Sequence, residues 1–146
     1  MEILKTITIG ASCTAIWDLI TKSESIAKWS AYYKDDRPVS SGEPRVGFRS
    51  KSVVQAGRRT VEFESEITAY QPASHLGFTL SGKWLGKMPL NVNYWLDGNG
   101  STTILRYKSS WHATGFFKLI ALPFSFMLNR LVTKELTALK ALAEDH

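Results

Sequence analysis

The feature that most constrains this chain is one long helical pattern at its C-terminal end, from Gly115 to His146. Its second half sets Leu128, Leu131, Val132, Leu136, Leu139 and Leu142 on one face at helical spacing. That stripe is what a helix needs to lie against a sheet. Its first half is apolar nearly all round: Phe116, Phe117, Leu119, Ile120, Phe124, Met127 and Leu128 cannot all meet one neighbour. Three roles fit such a segment. It lines and covers an apolar pocket, it forms a dimer contact, or it touches membrane while lipid is exchanged, helped by Lys118 and Arg130. Pro123 has no backbone N–H, so a kink or break is expected there. A kinked apolar segment over a pocket mouth would serve as a gate.

Ahead of this helix the chain alternates in period two. Ile3, Lys5, Ile7 and Ile9 share one parity of a first strand. Ser12 is placed to cap a short helix whose buried face is Ala15, Ile16, Leu19 and Ile20. A second short helix, 23–28, begins at Ser23 as its cap and ends near Trp29. Val46, Phe48, Ser50, Ser52 and Val54 then share a face opposite Arg49 and Lys51, and Ala56-Gly57-Arg58 reads as a turn. Val61, Phe63, Ser65 and Ile67 alternate with Thr60, Glu62, Glu64 and Glu66, the cleanest half-buried strand in the sequence. Residues 70–74 break it. Leu76, Phe78 and Leu80 follow, then Leu90, Val92, Tyr94 and Leu96. Asp97-Gly98-Asn99-Gly100 is a hairpin turn, and Thr103, Leu105, Tyr107, Ser109 and Trp111 form the inner face of the last strand. One strand, two small helices, about six strands and a long helix give an α+β fold. Its sheet is an antiparallel meander curved around the C-terminal helix, with room for a cavity between them.

Composition bounds the rest. Apolar residues at 44% and charged residues at 21% describe a soluble globular chain. Its length is that of one domain, 1–146. The net charge of +5 permits attraction to anionic surfaces, but the cations are scattered and no nucleic-acid-binding motif is present. A single cysteine, Cys13, excludes an intrachain disulfide and fits a reducing compartment. The first residues alternate at once, without the apolar block of a signal peptide. Leu119 to Leu128 is too short to span a bilayer, which takes about 20 residues. A cytoplasmic location is the expectation.

The order and residues of these pieces resemble the START-like, or helix-grip, superfamily and, within it, the polyketide cyclase/dehydrase and lipid-transport family (SRPBCC). The resemblance rests on Ile9 to Ile20 followed by Trp29, on Gly47-Phe48, and on Glu66-Ile67-Thr68-Ala69-Tyr70-Gln71-Pro72. Gly100-Ser101-Thr102-Thr103 and Leu136-Thr137-Ala138-Leu139-Lys140 complete it. It implies an apolar cavity under the C-terminal helix, occupied in different members by lipids, sterols, quinones, hormones or polyketide intermediates.

The candidate chemistry is sparse. His75, His112 and His146 have no metal-ligand spacing, and neither a phosphate loop, a dinucleotide fingerprint nor a nucleophile elbow occurs. No metal or cofactor is therefore expected. His75 follows a turn and is expected at the surface. Glu62, Glu64 and Glu66 should face solvent and pair with Arg49 or Lys51. Tyr94 and Tyr107 carry hydroxyls into an apolar interior, where a backbone group or a ligand must satisfy them. With His112, placed near the mouth of the cavity, they are the weak catalytic candidates. Ser50, Ser52, Ser65 and Ser109 are inward by parity and leave both space and hydrogen-bonding groups. The expected ligand walls are Phe48, Phe63, Phe78, Tyr94, Tyr107, Phe116, Ile120, Phe124 and Met127, with Trp29 closing the other end. The first expectation is thus a binder of a small hydrophobic molecule, monomeric or homodimeric, with transient membrane contact. A cyclase or dehydratase using the same cavity is the alternative, and a protein-interaction module using the apolar helix start is the third.

Overall fold

A computed structural model describes residues 1–145; His146 lies outside the described residues. The elements are β1 (Glu2–Ile9), α1 (Cys13–Thr21), α2 (Ser23–Trp29), β2 (Tyr33–Pro38), β3 (Arg49–Ala56), β4 (Arg59–Gln71) and β5 (His75–Ser81). A first 3₁₀ turn (Lys83–Leu85), β6 (Leu90–Gly98), β7 (Thr103–Trp111), a second 3₁₀ turn (Gly115–Leu119) and α3 (Ala121–Glu144) complete the chain. The seven strands form one antiparallel sheet in the order β1-β7-β6-β5-β4-β3-β2. This is the α+β helix-grip architecture, a curved sheet with its long helix last.

Register follows the alternation. Tyr107 stands opposite Lys5 on one side and Tyr94 on the other, and Tyr94 stands opposite Leu76. One pleat face therefore gathers Ile3, Ile9, Leu76, Leu90, Val92, Leu96, Leu105 and Trp111 into the core. Across it, α3 contributes Leu128, Val132, Leu136, Leu139 and Ala143. Ile9, Ile16, Leu105 and Leu139 are fully enclosed. The inner face of β3 and β4 is less covered, with Ser50, Ser52, Phe63, Ser65 and Ile67 all half-buried. Outward, Arg49 pairs with Glu64 at 3.9 Å and Glu66 at 3.8 Å, the solvated row that parity requires.

Local chemistry explains the ends of the helices. Ser12 Oγ accepts the Ala15 N–H at 3.2 Å and caps α1. Ser23 does not cap α2; the helix starts after an extended Lys22 whose side chain makes no capping bond. The buried face of α1 is Ile16, Trp17 and Ile20, with Ala15 exposed, because a nine-residue helix under a broad sheet turns its largest ring inward. Val46 lies ahead of β3 and is 62% exposed, not on its inner face. The C-terminal pattern is two elements, and the break falls at Ile120, before Pro123. Pro123 sits in the first turn of α3, where its missing N–H would have had no intrahelical partner.

α3 is fastened at its far end. Lys140 Nζ donates to the Thr8 carbonyl at 2.7 Å and to Glu144 Oε2 at 2.8 Å, and the Gly10 N–H donates to that same oxygen at 2.7 Å. At the near end the second 3₁₀ turn packs on the first. Trp111 Nε1 donates to the Leu85 carbonyl at 2.9 Å, and its ring meets those of Phe117 and Phe124 edge-on.

Candidate functional site

One set of interior polar groups gathers between β6, β7 and α3. Tyr94 on β6 and Tyr107 on β7 are cross-strand neighbours, so their rings meet at 5.2 Å in a T-shaped contact. Ser109 lies two residues along the same face of β7 and is fully buried, and its Oγ has no hydrogen-bond partner. From above, α3 presents Glu135. That position continues the buried stripe, three residues after Val132 and four before Leu139. Ser30, just after α2, donates to Glu135 Oε1 at 2.7 Å.

Electrostatics here are set by burial. Removal from water pushes the Glu135 carboxyl above its usual range, and the Ser30 hydroxyl offsets part of that rise. Burial pushes the Tyr107 phenol up to about 12. The adjacent Ser109 hydroxyl offsets part of that rise, although it stands outside good hydrogen-bond geometry, and the Glu135 charge adds a smaller increment. Tyr94 is raised well above the ordinary phenol value by burial, then by Tyr107 and Glu135. Both phenols are therefore neutral donors at physiological pH, and Glu135 favours its neutral form more than an exposed carboxyl would. Such a cluster offers hydrogen bonds to a neutral oxygen and a proton from a carboxyl.

A second polar group lies toward the open edge of the sheet. Ser52 Oγ donates to Asp36 Oδ1 at 3.5 Å, and burial raises the Asp36 carboxyl. The Tyr33 hydroxyl nearby is enclosed with no partner of ordinary geometry.

The expected site residues divide. Tyr94 and Tyr107 are buried in the core, and Phe63, Phe78 and Phe124 are half-buried against it. Trp29 is buried, its Nε1 donating to the Leu19 carbonyl at 2.8 Å, a packing bond between α1 and α2. Phe48 is buried apart from that core, under the Arg45 guanidinium at 5.6 Å. Phe116, Ile120 and Met127 are not brought inside, being 69%, 36% and 58% exposed. The break at Ile120 and the first turns of α3 turn them outward. His112 is exposed beyond the end of β7, beside Met1 and Met88 on a surface cleft of about 260 Å³, and not at an interior mouth. His75 is half-buried on the outer sheet face, not fully exposed; its Nε2 lies 2.8 Å from Asn93 Oδ1 and its ring stacks on Trp95. Another cleft, of about 370 Å³, lies at the end of β4 and β5 between Phe63, Lys51 and Gly82. Neither cleft is lined by Tyr94, Tyr107, Ser109 or Glu135 beneath α3. Among the described residues no His, Cys, Asp and Glu side chains converge as a metal site. Among them, too, no helix is long and apolar enough to cross a membrane.

Glu135 and Ser30 are the members that reading the sequence missed. The signal for Glu135 was available: an acidic residue on the Leu131–Leu139–Leu142 stripe at helical steps.

Comparison with known families gives a match over residues 2–144 to the model described as polyketide cyclase/dehydrase and lipid transport. The chain belongs to that family. No curated protein matches it by sequence. Among solved structures it is similar to TTHA0849 from Thermus thermophilus (16% identity, TM-score 0.74), with 97% of this chain and 95% of that one covered. It is also similar to the Zhui aromatase/cyclase from Streptomyces sp. R1128 (13% identity, TM-score 0.78, 99% and 93% covered). A third similar structure is the Aha1 dimer from Colwellia psychrerythraea (22% identity, TM-score 0.68, 99% and 96% covered). At these identities the likeness fixes the fold of this family member and leaves its ligand to its own residues.

Proposed function

We propose that this family member binds a small hydrophobic molecule bearing a neutral oxygen function, such as a ketone, quinone or hydroxyl. The ligand lies between the inner sheet face and α3, held for transport or sequestration, with loading at a lipid surface part of the same reading. The observation that carries this is the enclosed Ser109 hydroxyl without a partner, beside two neutral phenols and Glu135. Buried hydroxyls want acceptors, and an apolar ligand with one oxygen supplies what the protein does not. Apolar contact then provides affinity at about 25 cal/mol per Å² buried, and the hydroxyls set orientation. Entry requires α3 to give way at its start, where Phe117 and Phe124 are half-buried.

Native mass spectrometry of freshly purified protein, followed by solvent extraction and a titration with oxygenated hydrophobes, tests this. The expected result is a 1:1 complex that Tyr94→Phe and Tyr107→Phe each weaken by about five- to tenfold, the worth of one hydrogen bond. A mass that stays free of ligand across a broad lipid, quinone and polyketide panel would sink the proposal.

A second reading has its own observation. A carboxyl kept toward neutrality beside two phenols is a proton donor suited to cyclisation or dehydration of a polyketide-like substrate. Glu135→Gln separates the readings: a carrier keeps its ligand, whereas an enzyme keeps binding and loses turnover.

A further inference from the structure

The near end of α3 leaves an apolar surface that the interior does not use. Phe116, Leu119, Leu122 and Phe126 are 69%, 78%, 69% and 65% exposed. Leu122 and Phe126 lie one turn apart on the outward face of α3, and Leu119 ends the 3₁₀ turn just before it. The first 3₁₀ turn adjoins them, since a Cβ at Gly86 would meet the Phe117 ring at 2.8 Å. That turn adds Trp84, 49% exposed, with Lys83 Nζ over its ring. An apolar group of this extent marks a contact surface.

Charge decides what the contact is. Lys83, Lys87, Lys118 and Arg130 flank it, all exposed. No acidic residue occurs from Ile67 to Leu96 or from Gly98 to Lys134, although the chain holds 13. Of the carboxylates bordering this end on other strands, Glu2 is paired with Lys108 at 3.4 Å and Glu64 with Arg49 at 3.9 Å; Glu62 is the third. A second copy of the chain docked on the same surface would bring eight like charges together, which disfavours a symmetric dimer. Aromatic and aliphatic side chains in the plane of a cationic rim match a bilayer interface with anionic headgroups.

We infer that the two 3₁₀ turns and the first turns of α3 dock on an anionic lipid bilayer, inserting Phe116, Leu119, Leu122 and Phe126 between headgroups while the four cations bind them. The attachment is peripheral and stands whether or not the interior holds a ligand. Its test is co-sedimentation with large unilamellar vesicles of phosphatidylcholine, with and without 30 mol% (about a third) phosphatidylglycerol, at low and high salt. The expected result is binding to the anionic vesicles alone, weakened by salt. Leu122→Glu with Phe126→Glu should abolish it while the circular dichroism spectrum and thermal midpoint stay near wild type, because both sites are exposed. Lys118→Ala and Lys83→Ala should each reduce it roughly fivefold. Arg106→Ala, on the outer sheet face, should leave it within twofold or so. No binding to anionic vesicles, equal binding to neutral ones, or binding indifferent to Leu122→Glu with Phe126→Glu would overturn the inference. So would a solution dimer that the same double variant dissociates.

Discussion

Ser109→Ala should make the ligand-free protein more stable. Most substitutions at a residue with 0% exposure destabilise, so the direction is informative. Ser109 Oγ is enclosed with no hydrogen-bond partner, whereas the Cβ is well packed opposite Val92 and Ile3. Replacing Ser by Ala removes one oxygen and its desolvation penalty, leaving a hole smaller than a methyl group. An unsatisfied buried hydroxyl costs about 1–3 kcal/mol, and the small void returns part of that, leaving a net gain of about 1 kcal/mol. For a chain of this length, that gain corresponds to a rise of roughly 2–4 °C in the thermal midpoint. Urea unfolding of extracted protein measures it as a higher midpoint with unchanged slope. Ser110→Ala, one residue on and facing outward, is the control and should stay within about 0.5 kcal/mol of wild type. The same Ser109→Ala variant should bind the ligand more weakly, since the group that costs stability is the one offered to it. A loss of stability in Ser109→Ala would show that this hydroxyl is satisfied within the fold, and the argument for a ligand oxygen would fall.

Three further outcomes follow from geometry. Glu135 has its folded-state affinity for protons raised by burial, so its contribution to stability is full below the ordinary carboxyl value and is lost as pH rises through the raised one. Glu135→Gln keeps an acceptor for Ser30 and carries no charge, so it should flatten that part of the stability profile and be the more stable protein at pH 7 or so, measured by urea unfolding between about pH 4 and 8. Leu139→Ala, at a site with 0% exposure under the sheet, should cost about 2–5 kcal/mol by the same assay. Gly86 has φ +78° and faces the Phe117 ring, so Gly86→Ala should cost about 1–3 kcal/mol and raise amide exchange in the second 3₁₀ turn.

Much of this architecture is legible in the amino-acid order because alternation and burial coincide. The faces of β4 are read correctly because its inward set is mostly apolar and its outward set is a row of glutamates. Its end is not: the strand runs on through Tyr70 and Gln71, which pair with Leu76 and His75, and the break expected at 70–74 begins only at Pro72. β2 escapes the same reasoning. Its sequence Tyr-Lys-Asp-Asp-Arg-Pro has no apolar alternation, because an edge strand paired only to β3 is held by backbone bonds and leaves Lys34, Asp35, Arg37 and Pro38 exposed, with Asp36 alone of its charges half-buried against Ser52. The end of the sheet also misleads. Parity places His112 on no buried face, and only the chain's course after Trp111 reveals that it leaves the interior. Among the site residues, Tyr94 and Tyr107 are evident from parity, whereas Glu135 is hidden by its own charge. A carboxylate on a helix is read as solvated until tertiary packing turns it inward, and its partner Ser30 lies 105 positions away in sequence.

The fastening of α3 at Thr8 and Gly10 gives the helix the mechanics of a lever. Its C-terminal turns are tied to the rim of β1 by side chains that reach backbone atoms. Its first turn has no capping side chain, and Phe124 there meets the Trp111 ring edge-on. A helix held at one end by such bonds is expected to move most at the other, so under the proposed function the interior would open from the end that carries the exposed rings. The proposed ligand passage and the proposed bilayer attachment would both use this one end of α3, so whatever holds the outer face of that first turn would also set how far the polar cluster beneath it is uncovered.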